Sequence, residues 1–247
     1  MLSDCKYAFR QLAKSSSFTT VAVLSLAVGI GAAVTIFSFV NHYLLRPLPY
    51  AAADRLAVLR PANQSFGQMS ASYANFKDWQ ERNRTFDAIA CYRIKEHNLT
   101  GVDQAERLKT VEASANLLPM LGVRPVLGSS FSSEDDHGHS PRKALLTFRR
   151  WQLSFAGDPK IVGQTIRLDG QSFTIVGVLP EEFHFLPFES DTTDLWTPIG
   201  LQETTPNFLE RWNHSDLRGL GRLKSGTTLE QARADMLRVA HELQVDL

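Results

Sequence analysis

The chain has 247 residues, and its 26 Lys and Arg balance 26 Asp and Glu to a formal net charge of zero. That length admits one large domain or two small ones, and a hydrophobic fraction of 43% excludes a disordered chain. The lack of any basic excess argues against a nucleic-acid partner.

No Asp, Glu, Lys or Arg occurs from Ser15 to Leu45, and the core of this stretch runs from Phe18 to Val40. About 20 apolar residues cross a bilayer core as a helix, and a helix apolar all round is not the amphipathic kind that covers a globular core. Residues 18–45 are therefore predicted to be a transmembrane helix. A cleaved signal peptide is the rival reading, but its apolar region would be shorter, and Ala32-Ala33 lies inside the run rather than after it. Cys5 and Cys91 fall on opposite sides of the span, so they cannot pair across it and no disulfide framework is expected. Lys6, Arg10 and Lys14 precede the span, against Arg46 and Arg55 after it. This bias places the N-terminus in the cytoplasm and the main domain outside.

Leu2, Cys5, Phe9 and Leu12 recur at helical spacing, with Asp4, Lys6, Arg10 and Lys14 off that stripe. Residues 1–17 read as an amphipathic helix in the inner-leaflet interface; the alternative is a frayed tail. Inside the span, Ser25, Gly29 and Ala33 are four apart, a spacing of small residues that lets another helix approach closely. Arg46-Pro47-Leu48-Pro49 then ends the helix and forms a restricted link to the domain beyond.

The remainder mixes strand-like and helix-like segments. Arg55 to Arg60 reads as a strand. Ser72 to Asn83 reads as a helix, with Tyr73, Phe76 and Trp79 on its packed face. Phe86 to Asn98 and Arg107 to Ser114 read as strands, and Asn116 to Gly122 as a short helix closed by glycine. Lys143 to Phe148 reads as a strand followed by a helix from Arg149 to Phe155. Thr165 to Leu168 and Gln171 to Val176 flank Asp169-Gly170, the signature of a two-residue hairpin turn. Leu217 to Leu223 is the last strand. Thr228 and Gln231 form a capping box for a helix whose apolar face carries Leu229, Ala232, Met236, Val239 and Leu243, with Asp235 assigned elsewhere. The order gives an α+β class with two lobes.

The search for chemistry yields no catalytic constellation. There is no phosphate-binding G-x-x-x-x-G-K run and no G-x-S-x-G elbow, so ATP hydrolysis by this chain is excluded and no cofactor is expected. Glu134-Asp135-Asp136-His137-Gly138-His139 could offer metal ligands, but a solvated acidic loop accounts for it equally and no second ligand pair is evident. His184, between Phe183 and Phe185, reads as a partly buried strand-end residue; His97, His214 and His241 are isolated. Cys91 reads as a small hydrophobe within its strand.

Tyr7 to Tyr50 resembles the opening of MacB/FtsX-type ABC-transporter permeases, nearest to the branch called acidobacterial duplicated orphan permeases. The segments Ser72–Tyr92, Val111–Phe131, Gly157–Phe185 and Gly221–Met236 follow in that family's order, whereas Lys143–Gln152 departs from its usual pattern. The resemblance implies a MacB-like periplasmic core domain over residues 46–247. A porter-like lobe would take about 50–115 and 195–247, and an inserted lobe about 116–194. It also implies a bacterial inner-membrane permease subunit for export or mechanotransmission rather than an enzyme. Its implied partners are a separate ABC ATPase chain, other permease segments or a second copy in a dimer, and membrane lipid. The sequence ends before any second span, so the expectation is an N-terminal portion lacking the later membrane helices. The alternative is a single-pass anchored binding or scaffold module that works without an ATPase.

Overall fold

The computed structural model describes residues 16–40, 50–60, 62–63, 67–68, 71–100, 106–185, 193–213 and 216–245. Residues 1–15 of the expected interfacial helix, His214 and the linker residues Arg46, Pro47 and Pro49 lie outside these, and Ser16 and Ser17, expected in the interfacial helix, instead begin the apolar one. The chain divides into two compact units, 1–48 and 49–247.

The first unit contributes helix α1 (Ser16–Val40), 25 residues without a charged side chain. At about 1.5 Å per residue it is about 37 Å long, enough for the bilayer core. By length and composition, Ser17–Ser38 can cross a membrane. Its large apolar side chains, including Phe18, Val21, Leu26, Ile30, Val34 and Phe37, are exposed.

In the second unit the described strands are β1 (Leu56–Leu59), β2 (Ala62–Asn63), β3 (Gly67–Gln68), β4 (Phe86–Thr100), β5 (Glu106–Ala113), β6 (Leu127–Gly128), β7 (Lys143–Leu146), β8 (Thr165–Leu168), β9 (Gln171–Val178), β10 (Leu195–Pro198) and β11 (Arg218–Leu223). The helices are α2 (Tyr73–Arg82), α3 (Leu117–Leu121), α4 (Phe148–Phe155) and α5 (Leu229–Val245). All strands but the β2–β3 hairpin join one sheet, in the order β1-β11-β4-β5-β10-β7-β9-β6, with β8 bridging β9 and β4. That bridge closes a ring, because β4-β5-β10-β7-β9-β8 returns to β4 through Leu99↔Leu168 and Thr100↔Arg167. Closure removes free edges that an open sheet would expose.

β4 is 15 residues long because it serves two structures. Its first half pairs with β11 over Phe86–Tyr92, and its second half pairs with β5 over Tyr92–Leu99. Two apolar cores follow. In the first, Tyr73, Phe76 and Trp79 of α2 and Ala232, Val239 and Leu243 of α5 pack with Leu59, Ile89, Cys91 and Leu223. In the second, Leu99, Leu108, Leu146, Leu168, Ile175, Val178 and Leu195 form the apolar cluster of the barrel strands. Helix α4 is tied to the barrel by Arg150, whose guanidinium donates to both oxygens of Glu106 at 2.8 Å and to Asp194 Oδ1 at 3.0 Å.

Local sequence explains most element ends. Ser72 Oγ accepts from Asn75 N at 3.1 Å to start α2, and the Thr228–Gln231 capping box forms in both directions. Asp169 and Gly170 have φ of 47° and 79°, the pair of positive angles that a tight hairpin requires. Four details correct the sequence reading. The strand at Lys143 ends at Leu146, because Thr147 turns to accept from Arg150 N and caps α4. Leu229 is 67% exposed, since it sits in the first turn, where α5 has not yet met the core. Asp235, in contrast, is buried: it accepts from Arg84 N at 2.6 Å and Thr85 Oγ1 at 3.0 Å, and pairs with Arg238. His184 is exposed and lies in a loop rather than at a strand end.

Those bonds outweigh burial and hold the Asp235 carboxyl below its usual range. A lowered folded pKa contributes stability above the unfolded value that is lost as pH falls through the folded one. Asp235→Ala is expected to cost about 2 kcal/mol at neutral pH, with the deficit shrinking as pH falls below about 4. Urea unfolding across that range checks it.

Candidate functional site

Tyr50 is the first described residue of the second unit, and the segment it opens is held on three sides. Tyr50 is buried, and its hydroxyl donates to the His184 carbonyl at 2.9 Å. Its ring lies 6.3 Å from Phe183, and Phe183 and Phe185 lie 5.7 and 4.8 Å from Trp196 of β10. Phe185 also meets Tyr92 of β4 edge-on at 4.8 Å. Such tilted and edge-on pairs add to the area that aromatic rings bury.

The next two residues are fixed through the backbone. Ala51 N donates to Leu121 O at 3.3 Å, at the end of α3. Gly122 follows with φ 77°, and a side chain there would stand 2.9 Å from Ala51 Cβ, so glycine both turns the chain and admits the entering segment. Arg222 of β11 donates to Met120 O at 3.1 Å and to Ala52 O at 3.0 Å, joining the entry to the last strand. Arg55 donates to Leu223 O at 2.8 Å and pairs with Asp87. The aromatic knot was not legible in the sequence, because Tyr50 and Tyr92 are remote from each other and from Phe183, Phe185 and Trp196 in the chain.

A second concentration of polar groups lies where the barrel closes. Glu112 of β5 is 1% exposed, and its carboxylate takes Arg93 Nε at 2.5 Å, His97 Nε2 at 3.2 Å and Gln202 Nε2 at 3.1 Å. The other imidazole nitrogen, His97 Nδ1, is 2.7 Å from Asp169 Oδ2 at the β8–β9 turn. Burial pushes the Glu112 carboxyl up, but its hydrogen bonds and the Arg93 cation prevail and hold it low. A cleft of about 330 Å³ borders this network.

Of the residues expected from sequence to act at the membrane, Ser25, Gly29 and Ala33 belong to α1 in the first unit, and Arg46, Pro47 and Pro49 lie outside the described residues. Ser25, Gly29 and Ala33 share one face of α1 and are exposed, and a methyl group built on Gly29 would meet nothing within 4 Å. The acidic run is solvated only in part: Glu134, His137 and His139 are exposed, whereas its two aspartates are engaged. Asp135 takes Ser132 N at 2.9 Å and Lys143 at 2.6 Å, while Asp136 takes Ala115 N at 2.9 Å and Gly200 N at 2.6 Å. Among the described residues, no group of three or more His, Cys, Asp or Glu is placed to hold a metal. Burial pushes the Cys91 thiol well up, so it is not poised as a nucleophile.

A family profile described as the MacB-like periplasmic core domain matches residues 19–239. No curated protein sequence matches the chain. Among solved structures, the periplasmic region of MacB from Actinobacillus actinomycetemcomitans aligns with a TM-score of 0.59 at 10% identity, over 76% of this chain and 83% of that one. A domain of a putative permease from Porphyromonas gingivalis aligns at 0.60 and 18% identity, over 78% and 86%. The extracellular domain of the noncanonic ABC-type transporter YknZ from Gram-positive bacteria aligns at 0.54 and 11%, over 76% and 92%.

Two substitutions separate the parts of the entry clamp. Tyr50→Phe removes one hydrogen bond and is expected to cost about 1 kcal/mol. Phe185→Ala opens the centre of the knot and is expected to cost about 3 kcal/mol or more. Denaturant unfolding followed by tryptophan fluorescence reads both, since Trp196 reports on the knot.

Proposed function

Because the chain belongs to the MacB-like periplasmic core domain family, whose members are components of ABC-transporter permeases, we propose that it couples a separate ATPase chain to movement of this outer domain. The observation that carries this reading is the clamp at Tyr50 to Arg55. A domain that receives motion from a membrane helix must be gripped at the point of entry, or the motion is lost in local bending. Here the entering segment is bonded to α3, to β11 and, through the aromatic knot, to the loop beside β10.

In this reading the N-terminus is cytoplasmic, as Lys6, Arg10 and Lys14 favour, and the domain lies outside the inner membrane. Arg46, Pro47 and Pro49 form a stiff covalent link between α1 and the clamp. Ser25, Gly29 and Ala33 take another membrane helix, from further permease segments or a second copy in a dimer, and lipid covers the remaining face of α1. The spacing of four, which puts three small residues on one helix face, supports that assignment. The porter-like lobe corresponds to the core built on α2 and α5, and the inserted lobe to the barrel core. β4 runs through both, giving Ile89 and Cys91 to the first core and Leu99 to the second, where Leu108 of β5 joins it. Movement of this kind would serve export or mechanotransmission, driven from the cytoplasmic side.

The assembly reconstituted with its ATPase in lipid nanodiscs tests the linkage. Spin labels in the outer domains are expected to change separation when ATP is added. Replacing Pro47 and Pro49 by glycine, or Tyr50 by alanine, is expected to reduce that change by about half or more while the ATPase still binds nucleotide. An undiminished response in both variants would sink the proposed coupling route.

A further inference from the structure

The barrel closes through a short contact, and a histidine sits on it. Among the described residues two pairs join β8 to β4, Leu99↔Leu168 and Thr100↔Arg167. The turn beyond them adds Asp169, which accepts from Asn98 N at 3.0 Å and Asn98 Nδ2 at 2.9 Å, while Asp169 N donates to Asn98 O at 2.9 Å. His97 completes the contact from β4, with Nδ1 on Asp169 and Nε2 on Glu112.

This geometry fixes the charge state in which the contact is whole. Two ionised carboxylates, one on each ring nitrogen, need two N–H donors, and only the imidazolium has both. A neutral ring donates once and turns a lone pair on the other carboxylate. Glu112 is enclosed and keeps Arg93 and Gln202, whereas Asp169 is 44% exposed and can turn to water. The side released on deprotonation is therefore Asp169.

We propose that His97 is a proton-dependent latch on the barrel seam, closed as the imidazolium and released when the ring becomes neutral. The charges around it are consistent with that role. Glu112 faces the ring from β5 and Asp169 from the β8–β9 turn. Arg93 stands behind Glu112 on β4, Lys95 is engaged with Asp216, and Arg142 lines the adjoining cleft ahead of β7. Gln202 approaches from the segment after β10 and is uncharged. The hydrogen bond to Glu112 raises His97 above its ordinary 6.5, burial opposes this, and Asp169 reinforces it. A folded pKa raised in this way gives a seam that is fully closed below the ordinary value and loosens as pH rises through the folded one. The cleft beside the seam leaves the turn room to move.

Hydrogen exchange on the full chain in nanodiscs, from about pH 5.5 to about pH 9 and corrected for the chemical exchange rate, tests the latch. Protection of amides 97–100 and 165–171 is expected to fall about tenfold across the His97 titration, while amides 86–92, paired with β11, keep theirs. In His97→Gln the step is expected to vanish. Asp169→Asn keeps a carbonyl oxygen for Asn98 but removes the charge, and it should move the step down towards the ordinary histidine range. A step of equal size and midpoint in His97→Gln, or a wild-type seam indifferent to pH, would overturn the proposal. Should His97→Gln fail to fold, an unmoved step in Asp169→Asn would do so as well.

Discussion

Strand β4 is the constraint on which the rest of the domain depends. Its first half belongs to the layer covered by α2 and α5, and its second half begins the closed barrel. Neither core can be completed without it, because the one strand supplies Ile89 and Cys91 to the first and Leu99 to the second. Tyr92 marks the exchange: it pairs with Arg218 of β11 and with Ala113 of β5, and its ring touches Phe185 of the entry knot. The strand thus ties together the entry of the chain, the helical layer and the barrel.

That arrangement suits a part that moves as a body. Three carboxylates act as backbone fasteners between distant segments. Asp136 holds Ala115 and Gly200 together, Asp194 holds Lys109 and Arg150, and Asp235 holds the turn at Arg84 against α5. Each satisfies an amide that would otherwise be costly to bury. Membership of the MacB-like periplasmic core domain family fits this picture, since the family's members are components of ABC-transporter permeases.

Sequence periodicity and turn chemistry located most elements, because those signals are local. The aromatic triplet of α2, the Asp169-Gly170 turn and the Thr228 cap are each set by neighbours within a few residues. What escaped was set at long range. Strand β10 is four residues ending in proline, and only its burial between β5 and β7 makes it a strand. Asp135 and Asp136 look like a solvated acidic run until the backbone amides they accept from are brought beside them. His97 looks isolated in the chain because Glu112 and Asp169 lie 15 and 72 residues away. The entry knot was hidden for the same reason: its rings come from separate segments.

The central claim is that this chain works as the membrane component of an ATPase-driven assembly. The most direct measurement is affinity purification of the tagged full chain from gently solubilised native membranes, with its associated proteins identified by mass spectrometry. The account predicts that an ABC-type ATPase is retained in constant ratio to the chain. Recovery of the chain with no such ATPase, after cross-linking in intact cells, would contradict it.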